Sequence, residues 1–166
     1  MHDERPALNR DEPTDRRAGR DEVLYRESFR IKGNDFEHGG ESAAAIKAIL
    51  KQLSFPTEAI RRLSIANFEA EMNVIMYADE AEITLEVLPD AVRVTVADRG
   101  QGIPDIEWAM QEGNSTATPE MRARGFGAGL GLPNIRRNSD EFSIRSAAGV
   151  GTTLVYVVRA NARVAP

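Results

Sequence analysis

The sequence predicts an α+β fold, a two-layer α/β sandwich in which a mixed, mostly antiparallel sheet carries helices on one face. Helical patterns cluster between residues 43 and 78 instead of alternating regularly with strands. Two pairs of short segments with period-two hydrophobicity are each joined by a turn, which is typical of hairpins. The 166 residues suffice for one domain around a single core.

The N-terminal part of the chain divides into a tail and a first strand. Residues 1–22 are rich in charged side chains and hold two prolines but almost no large apolar residue, so we expect a disordered charged tail. The domain then covers residues 23–166. From Val23 to Ile31 apolar and polar side chains alternate loosely, which indicates an edge strand.

Two helices follow this strand. Residues 43–53 are strong helix formers with apolar positions three and four apart. Thr57, after Pro56, offers the start of a second helix, and helical spacing continues to Ala78.

The remaining elements are two hairpins around a glycine-rich middle. The first hairpin joins I-T-L-E-V-L at 83–88 to V-R-V-T-V-A-D at 92–98 through Pro89 and Asp90. The second joins F-S-I-R-S at 142–146 to T-T-L-V-Y-V-V at 152–158. Between them, residues 100–133 hold the glycine-rich segments.

The second helix places two polar residues among its apolar ones. On a helical wheel Glu69 and Asn73 fall inside the apolar arc, whereas Ser64, Asn67 and Glu71 fall on the opposite side, where polar groups are expected. Burying a carboxylate and an amide without partners costs several kcal/mol, so we expect both to meet a ligand, a metal or water. An ordinary polar pair at the margin of the core is the alternative.

Two glycine motifs indicate a ligand that approaches the backbone closely. D-R-G-Q-G-I at 98–103 follows a strand, and G-F-G-A-G-L-G-L-P-N at 125–134 precedes an expected helix from Leu130 to Arg137. Free amide groups in the second motif predict a phosphate cradle, although neither a P-loop nor a dinucleotide fingerprint is present. A plain turn and a flexible hinge are the respective alternatives. Upstream, residues 113–124 suit a lid.

Several other side chains carry weaker predictions. Arg122 and Arg124 in the expected lid can reach a phosphate or remain solvated. His2 and His38 lie outside any helix that carries a carboxylate partner, so histidine chemistry is weakly supported. Trp108, near apolar residues of a short helical stretch, is expected in the core.

Composition excludes several classes of function. The net charge of −5 gives no broad positive field for a phosphate backbone, so direct nucleic-acid binding is not expected. The sequence has no cysteine, which removes disulfides, thiolate metal sites and cysteine nucleophiles. No apolar run reaches the roughly 18 residues of a membrane span, and we expect a cytoplasmic protein without membrane contact.

Taken in order, four motifs resemble the conserved boxes of the GHKL ATP-binding superfamily, whose domain is the Bergerat fold. They are E-A-E-M-N at 69–73, D-R-G-Q-G at 98–102, G-F-G-A-G-L-G-L at 125–132 and G-T-T at 151–153. The resemblance covers residues 23–159. Within the superfamily, G-I-P-D-I at 102–106, E-G-N-S-T at 112–116 and S-D-E-F-S at 139–143 are most similar to switch-type serine/threonine kinases of the anti-sigma regulatory family.

This resemblance implies the roles of individual residues. Glu69 would be the catalytic carboxylate that orients or deprotonates the attacking hydroxyl, and Asn73 would bind Mg²⁺ at the phosphates of ATP. Asp98 would accept a hydrogen bond from the adenine amino group. The other residues implied to bind the nucleotide are Gly100, Gly102, Ile103, Gly127, Gly129, Leu130, Gly131 and Thr152.

The resemblance also implies partners. A kinase of this type would phosphorylate a STAS-type antagonist protein in a partner-switching pathway, with a sigma factor as a further partner and a homodimer as an open alternative. Two departures from the family pattern stand near Glu69: Asn67-Phe68 replaces an expected small pair, and Met72 stands where arginine is common. They leave a second hypothesis, a non-catalytic, nucleotide-gated module that binds a sigma factor or another regulator.

Overall fold

The computed structural model describes residues 21–161 of the chain. The elements in chain order are β1 (Tyr25–Lys32), α1 (Glu41–Gln52), α2 (Thr57–Tyr77), β2 (Ala78–Val87), β3 (Ala91–Gly100), α3 (Ile106–Ala109), α4 (Pro119–Ala123), α5 (Gly131–Arg137), β4 (Glu141–Ala147) and β5 (Gly151–Arg159). The predicted tail, residues 1–22, lies almost wholly outside the described residues. Within them, no helix combines the length and the apolar character needed to cross a bilayer.

The five strands form one sheet in the order β1-β2-β3-β5-β4. Each neighbouring pair is antiparallel, so the predicted α+β class is confirmed, and the sheet contains no parallel pair among these strands. Both predicted hairpins are present, and β1 is an edge strand as expected. The segment from 101 to 140 crosses from β3 to the far edge, so that β5 returns between β3 and β4.

The core lies between one face of the sheet and the helices α1, α2 and α5. Alternation along the central strands sends Ile83, Leu85 and Val94 to this face, where they are buried against Leu63 and other apolar residues of α2. On the opposite face the Ser28 hydroxyl lies 3.2 Å from that of Thr84 and both are accessible. The sheet is therefore two-sided, with helices on one face only.

The expectation that Asn67 and Glu71 lie on a solvent-facing side of α2 is wrong. Both are buried, at 2% and 1% exposure, because Asn67 lies against Tyr156 of β5 and Glu71 lies against the start of α1. Glu71 accepts hydrogen bonds from the backbone amides of Ser42 (3.2 Å) and Ala43 (2.9 Å). It therefore caps α1, whose own N-cap residue is a glycine without a capping side chain.

Candidate functional site

A cavity of about 580 Å³ opens between α2, the end of β3 and the segments that follow it. Its size falls within the range of small-molecule sites. It is lined by all of the predicted site residues except Gly100, namely Glu69, Asn73, Asp98, Gly102, Ile103, Gly127, Gly129, Leu130, Gly131 and Thr152. Four separate segments of the sequence thus meet at one cavity.

Gly100 does not line this cavity, contrary to the expectation that it supports a ligand. It is the last residue of β3 and packs where α2 passes into β2. A Cβ atom there would lie 2.8 Å from the Cα of Ala78 and 3.0 Å from the carbonyl oxygen of Tyr77. The absence of a side chain at this position therefore serves the close approach of two backbones.

Asp98 and Thr152 form one end of the cavity. One carboxylate oxygen of Asp98, Oδ1, accepts a hydrogen bond from the Thr152 backbone amide at 3.0 Å. Burial raises the pKa of Asp98, and the hydrogen bond from Thr152 only partly opposes that effect. The second carboxylate oxygen remains able to accept a hydrogen bond from a ligand.

Ser146 supports this end of the cavity and was missed by the sequence analysis. Its hydroxyl accepts from the backbone amide of Ile103 at 2.7 Å and lies 2.8 Å from the Thr152 hydroxyl. It thereby connects the turn after β3 to the start of β5. A serine in an alternating strand carries no local signal of such a role, since it looks like any solvent-facing position.

Glu69 and Asn73 form the opposite end. They lie one turn apart on α2, half-buried, and face the first residue of α5. A Cβ atom at Gly131 would lie 3.1 Å from Asn73 Oδ1 and 3.4 Å from Glu69 Oε2, so a glycine here lets α5 approach both polar groups. The Asn134 side chain donates to Glu69 Oε1 at 2.8 Å.

The segment between Gly113 and Gly129 covers the cavity and is closed at its base. Gly113 donates its amide to the Gly129 carbonyl at 3.0 Å. Gly129 has φ +74°, and a Cβ there would lie 2.5 Å from the Gly113 carbonyl carbon, so only glycine fits without displacement. We call residues 113–129 the lid; those that line the cavity are Asn114, Ser115, Thr116, Thr118, Met121, Gly127, Ala128 and Gly129.

The two lid arginines do not line the cavity. The Arg124 guanidinium lies over the Phe36 ring, 4.6 Å from its centre, and Phe36 packs against Phe126 with 6.0 Å between ring centres. Arg122 is exposed. Neither side chain lies at the cavity in this structure, so a contact of these arginines with a phosphate stays a prediction.

Trp108 does line the cavity, and the expectation that it lies in the core is wrong. It is 41% exposed, because α3 is only four residues long and lies at the cavity mouth, not against the sheet.

Within residues 21–161, no group of three or more histidine or acidic side chains is arranged to hold a metal. His38 pairs instead with Asp35 at 2.8 Å, and the hydrogen bond to that carboxylate raises the pKa of His38.

Comparison with known proteins agrees with this arrangement. Residues 34–158 match the model of the histidine kinase-like ATPase domain. The chain belongs to this family. The GHKL resemblance is therefore confirmed. The domain of this chain, whose four motifs lie around one cavity, binds ATP.

Curated relatives of this histidine kinase-like ATPase fall into two named groups. The serine/threonine-protein kinase RsbT of Bacillus subtilis is 36% identical over 110 residues, which are 64% of this chain and 77% of that protein. The anti-sigma F factor of Caldanaerobacter subterraneus is 32% identical over 112 residues, 64% of this chain and 75% of that protein. The anti-sigma F factor of Pasteuria penetrans is 28% identical over 125 residues, 71% of this chain and 80% of that protein.

The two departures from the family pattern lie away from the cavity of this ATPase domain. Met72 is buried beneath Gly39, where a Cβ would lie 3.1 Å from its sulfur. Asn67 accepts a hydrogen bond from the Tyr156 hydroxyl at 2.7 Å, and Phe68 lies exposed beside Gly40. These residues therefore pack around α2 away from the side of the helix that carries Glu69.

Proposed function

We propose that the protein is a serine/threonine protein kinase of the anti-sigma regulatory type. It transfers the γ-phosphoryl group of ATP to a hydroxyl of a STAS-type antagonist protein in a partner-switching pathway. The observation that carries the proposal is the Glu69 carboxylate, half-buried in the cavity one helical turn from Asn73, with Asp98 at the far end. The similarity to a named serine/threonine kinase supports the same reaction.

ATP would lie along the cavity with its base at Asp98. The free oxygen of that carboxylate is a hydrogen-bond acceptor, which suits the 6-amino group of adenine, and Thr152 and Ile103 line the same end. Gly127, Gly129 and Gly131 would surround the phosphates at the opposite end. A volume of about 580 Å³ suits a ligand of this class.

A Mg²⁺ ion would be held by Asn73 together with phosphate oxygens. The amide oxygen of Asn73 faces the space left by Gly131, and oxygen is the ligand that this cation prefers. Because the described residues form no acidic cluster, most ligands must come from the nucleotide and water, which is the common arrangement for Mg²⁺ in phosphoryl transfer. When bound, the ion neutralises charge that develops on the phosphates.

Glu69 would orient the attacking hydroxyl and accept its proton. A carboxylate is an acceptor only, and Oε2 of Glu69 borders the cavity beside Gly131. Phosphoryl transfer depends mainly on positioning and charge stabilisation, so a single well-placed carboxylate can account for a large part of the rate.

A phosphoryl-transfer assay tests the proposal. The protein is incubated with [γ-³²P]ATP, Mg²⁺ and each STAS-domain protein of the same organism in turn, and labelled product is measured over time. Glu69→Gln should slow transfer by about a hundredfold or more without weakening ATP binding. Glu58→Gln is the matched control, because Glu58 is an exposed glutamate of the same helix paired with Arg61. Unchanged transfer by Glu69→Gln would contradict the catalytic role.

Nucleotide-gated binding of a regulator is a second candidate. The anti-sigma F relatives and the lid over the cavity favour it. A pull-down of the cognate sigma factor with ATP, with ADP and without nucleotide tests it, since capture that is identical in all three conditions excludes gating. Both candidates imply a cytoplasmic protein, and light scattering in solution distinguishes a monomer from a homodimer.

A further inference from the structure

The carboxylate of Glu69 is held by a side chain from another helix. Asn134 of α5 donates its Nδ2 amide to Glu69 Oε1 at 2.8 Å, and both residues are half-buried. We propose that Asn134 is a positioning residue for the phosphoryl transfer, because it holds one oxygen of Glu69 so that the other faces the acceptor hydroxyl. This inference rests on the proposed kinase function.

Arg137 determines which way the Asn134 amide points. Its guanidinium donates to Asn134 Oδ1 at 3.2 Å. A guanidinium has only donors and a carboxylate only acceptors, so the amide must turn its oxygen to Arg137 and its NH₂ to Glu69. The reversed amide would oppose two acceptors on one side and two donors on the other. The backbone of Asn134 is also fixed, since its amide donates to the Leu130 carbonyl at 2.8 Å.

The contact leaves Glu69 with one occupied and one open oxygen. Oε1 is taken by Asn134, whereas Oε2 has no hydrogen bond within the part of the chain that the structure describes and lies beside Gly131. A half-buried glutamate has several rotatable bonds, so packing alone does not fix its carboxylate. A displacement of about 1 Å from productive geometry costs on the order of a hundredfold in rate, which gives the Asn134 contact its importance.

The same guanidinium also contacts the base of the lid. Arg137 lies 2.9 Å from a carboxylate oxygen of Glu112, the residue before Gly113. This pair is largely exposed and contributes little by itself. It nevertheless continues the line of contacts from Glu69 through Asn134 and Arg137 to the segment that covers the cavity.

Four proteins test the inference: wild type, Asn134→Ala, Asn138→Ala and the double variant Glu69→Gln with Asn134→Ala. Asn138 is a matched control, since its side chain donates to the backbone carbonyl of Asn134 at 2.9 Å and is not bonded to Glu69. Single-turnover transfer to the STAS-domain protein that the wild type phosphorylates, and the ATP Kd from calorimetry, are measured for each. In ¹⁵N-labelled protein, the Asn134 side-chain amide resonance is followed before and after Glu69→Ala.

We expect Asn134→Ala to slow transfer by about tenfold to a hundredfold and to leave the ATP Kd within about twofold. Asn138→Ala should transfer phosphate at the wild-type rate, and the double variant should be no slower than Glu69→Gln alone. The Asn134 side-chain amide resonance should shift when Glu69 is replaced by alanine. Wild-type transfer by Asn134→Ala overturns the inference and leaves the kinase function standing. If Asn134→Ala raises the ATP Kd by the same factor by which it slows transfer, the inference is also overturned, because the Asn134 amide then contributes to nucleotide binding. Absence of transfer by wild type overturns both.

Discussion

Replacing Asp98 with asparagine tests the end of the cavity where the base would bind, because it changes one hydrogen-bonding group and preserves the shape. In the structure one carboxylate oxygen accepts from the Thr152 amide at 3.0 Å, which only an acceptor can do. Asparagine must therefore keep its oxygen at this position and turn its NH₂ toward the ligand. The 6-amino group of adenine is also a donor, so two donors then face each other.

The expected effect on affinity follows from the cost of an unpaired polar group. A buried donor without a partner costs about 1–3 kcal/mol, and about 1.4 kcal/mol corresponds to tenfold in Kd. Asp98→Asn should therefore weaken ATP binding by roughly 5- to 150-fold. GTP carries an acceptor oxygen at the 6-position, so the ratio of the ATP Kd to the GTP Kd should rise by about tenfold or more.

Acidic pH should weaken ATP binding by the wild type through the same group. Burial raises the pKa of Asp98, so protonation removes the acceptor at a higher pH than for an exposed aspartate. The ionised form is disfavoured in the folded state, so stability falls as pH rises from the unfolded-state pKa through the raised one. Asp98→Asn avoids that loss, and its Tm at neutral pH should be no lower than that of wild type.

Isothermal titration calorimetry with ATP and with GTP, each in the presence of Mg²⁺ and over a series of pH values, measures these quantities. The Tm of each protein shows whether the fold is intact. An ATP Kd that Asp98→Asn leaves unchanged, in a protein with wild-type Tm, would refute the adenine role of Asp98.

Three further predictions concern stability and the lid. Glu71→Ala leaves two buried amides at the start of α1 without their acceptor and should lower the free energy of unfolding in urea by about 2–4 kcal/mol, whereas the exposed Glu58→Ala should change it by less than about 0.5 kcal/mol. Gly129→Ala should raise the ATP Kd about tenfold or more, because its methyl group would meet the backbone of Gly113 and Asn114. Gly125→Ala is the control: Gly125 has a similar positive φ of +86° but no atom within 4 Å of the added methyl group, so its ATP Kd should stay close to that of wild type. Burial raises the pKa of Asp140, but hydrogen bonds from the Arg159 amide and the Arg62 guanidinium outweigh burial, so the net effect is a lowered pKa. The ionised carboxylate should therefore stabilise the folded protein above about pH 4, and this stabilisation should be lost as pH falls below that value. In Asp140→Asn, this part of the decrease in melting temperature at acidic pH should be absent.

Local patterns predict most of the elements of this fold but not their order in the sheet. Alternation over 83–88 and 92–98 predicts a hairpin because side chains of period two bury one face, and residues 78–87 and 91–100 form that hairpin. The insertion of β5 between β3 and β4 depends on the long crossover from 101 to 140. No local pattern encodes such a crossover, since it is decided by which strands can pair once the helices cover the sheet.

The helical wheel is reliable only for a helix with one buried face. Helix α2 is covered by the sheet on one side and by α1 on another, so Asn67 and Glu71 are buried although the wheel puts them opposite the apolar arc. Trp108 is expected in the core but is exposed, because its apolar neighbours belong to a helix too short to reach the core. Glycine patterns likewise cannot distinguish Gly100, which accommodates a neighbouring backbone, from Gly102, which lines the cavity.

Two glutamates of α2 show that burial alone does not identify a functional carboxylate. Glu71 is the more buried, but both of its carboxylate oxygens accept hydrogen bonds from backbone amides of α1, so neither is available to a ligand. Glu69 is more exposed and, among residues 21–161, receives one hydrogen bond, from Asn134, which leaves an acceptor oxygen beside the cavity. A carboxylate whose oxygens are all occupied by the protein contributes to stability, whereas one held at a single oxygen is oriented and still able to accept a proton. Loss of Glu71 should therefore be measured in the unfolding free energy and loss of Glu69 in the rate of transfer, and the difference follows from the hydrogen-bond partners of each.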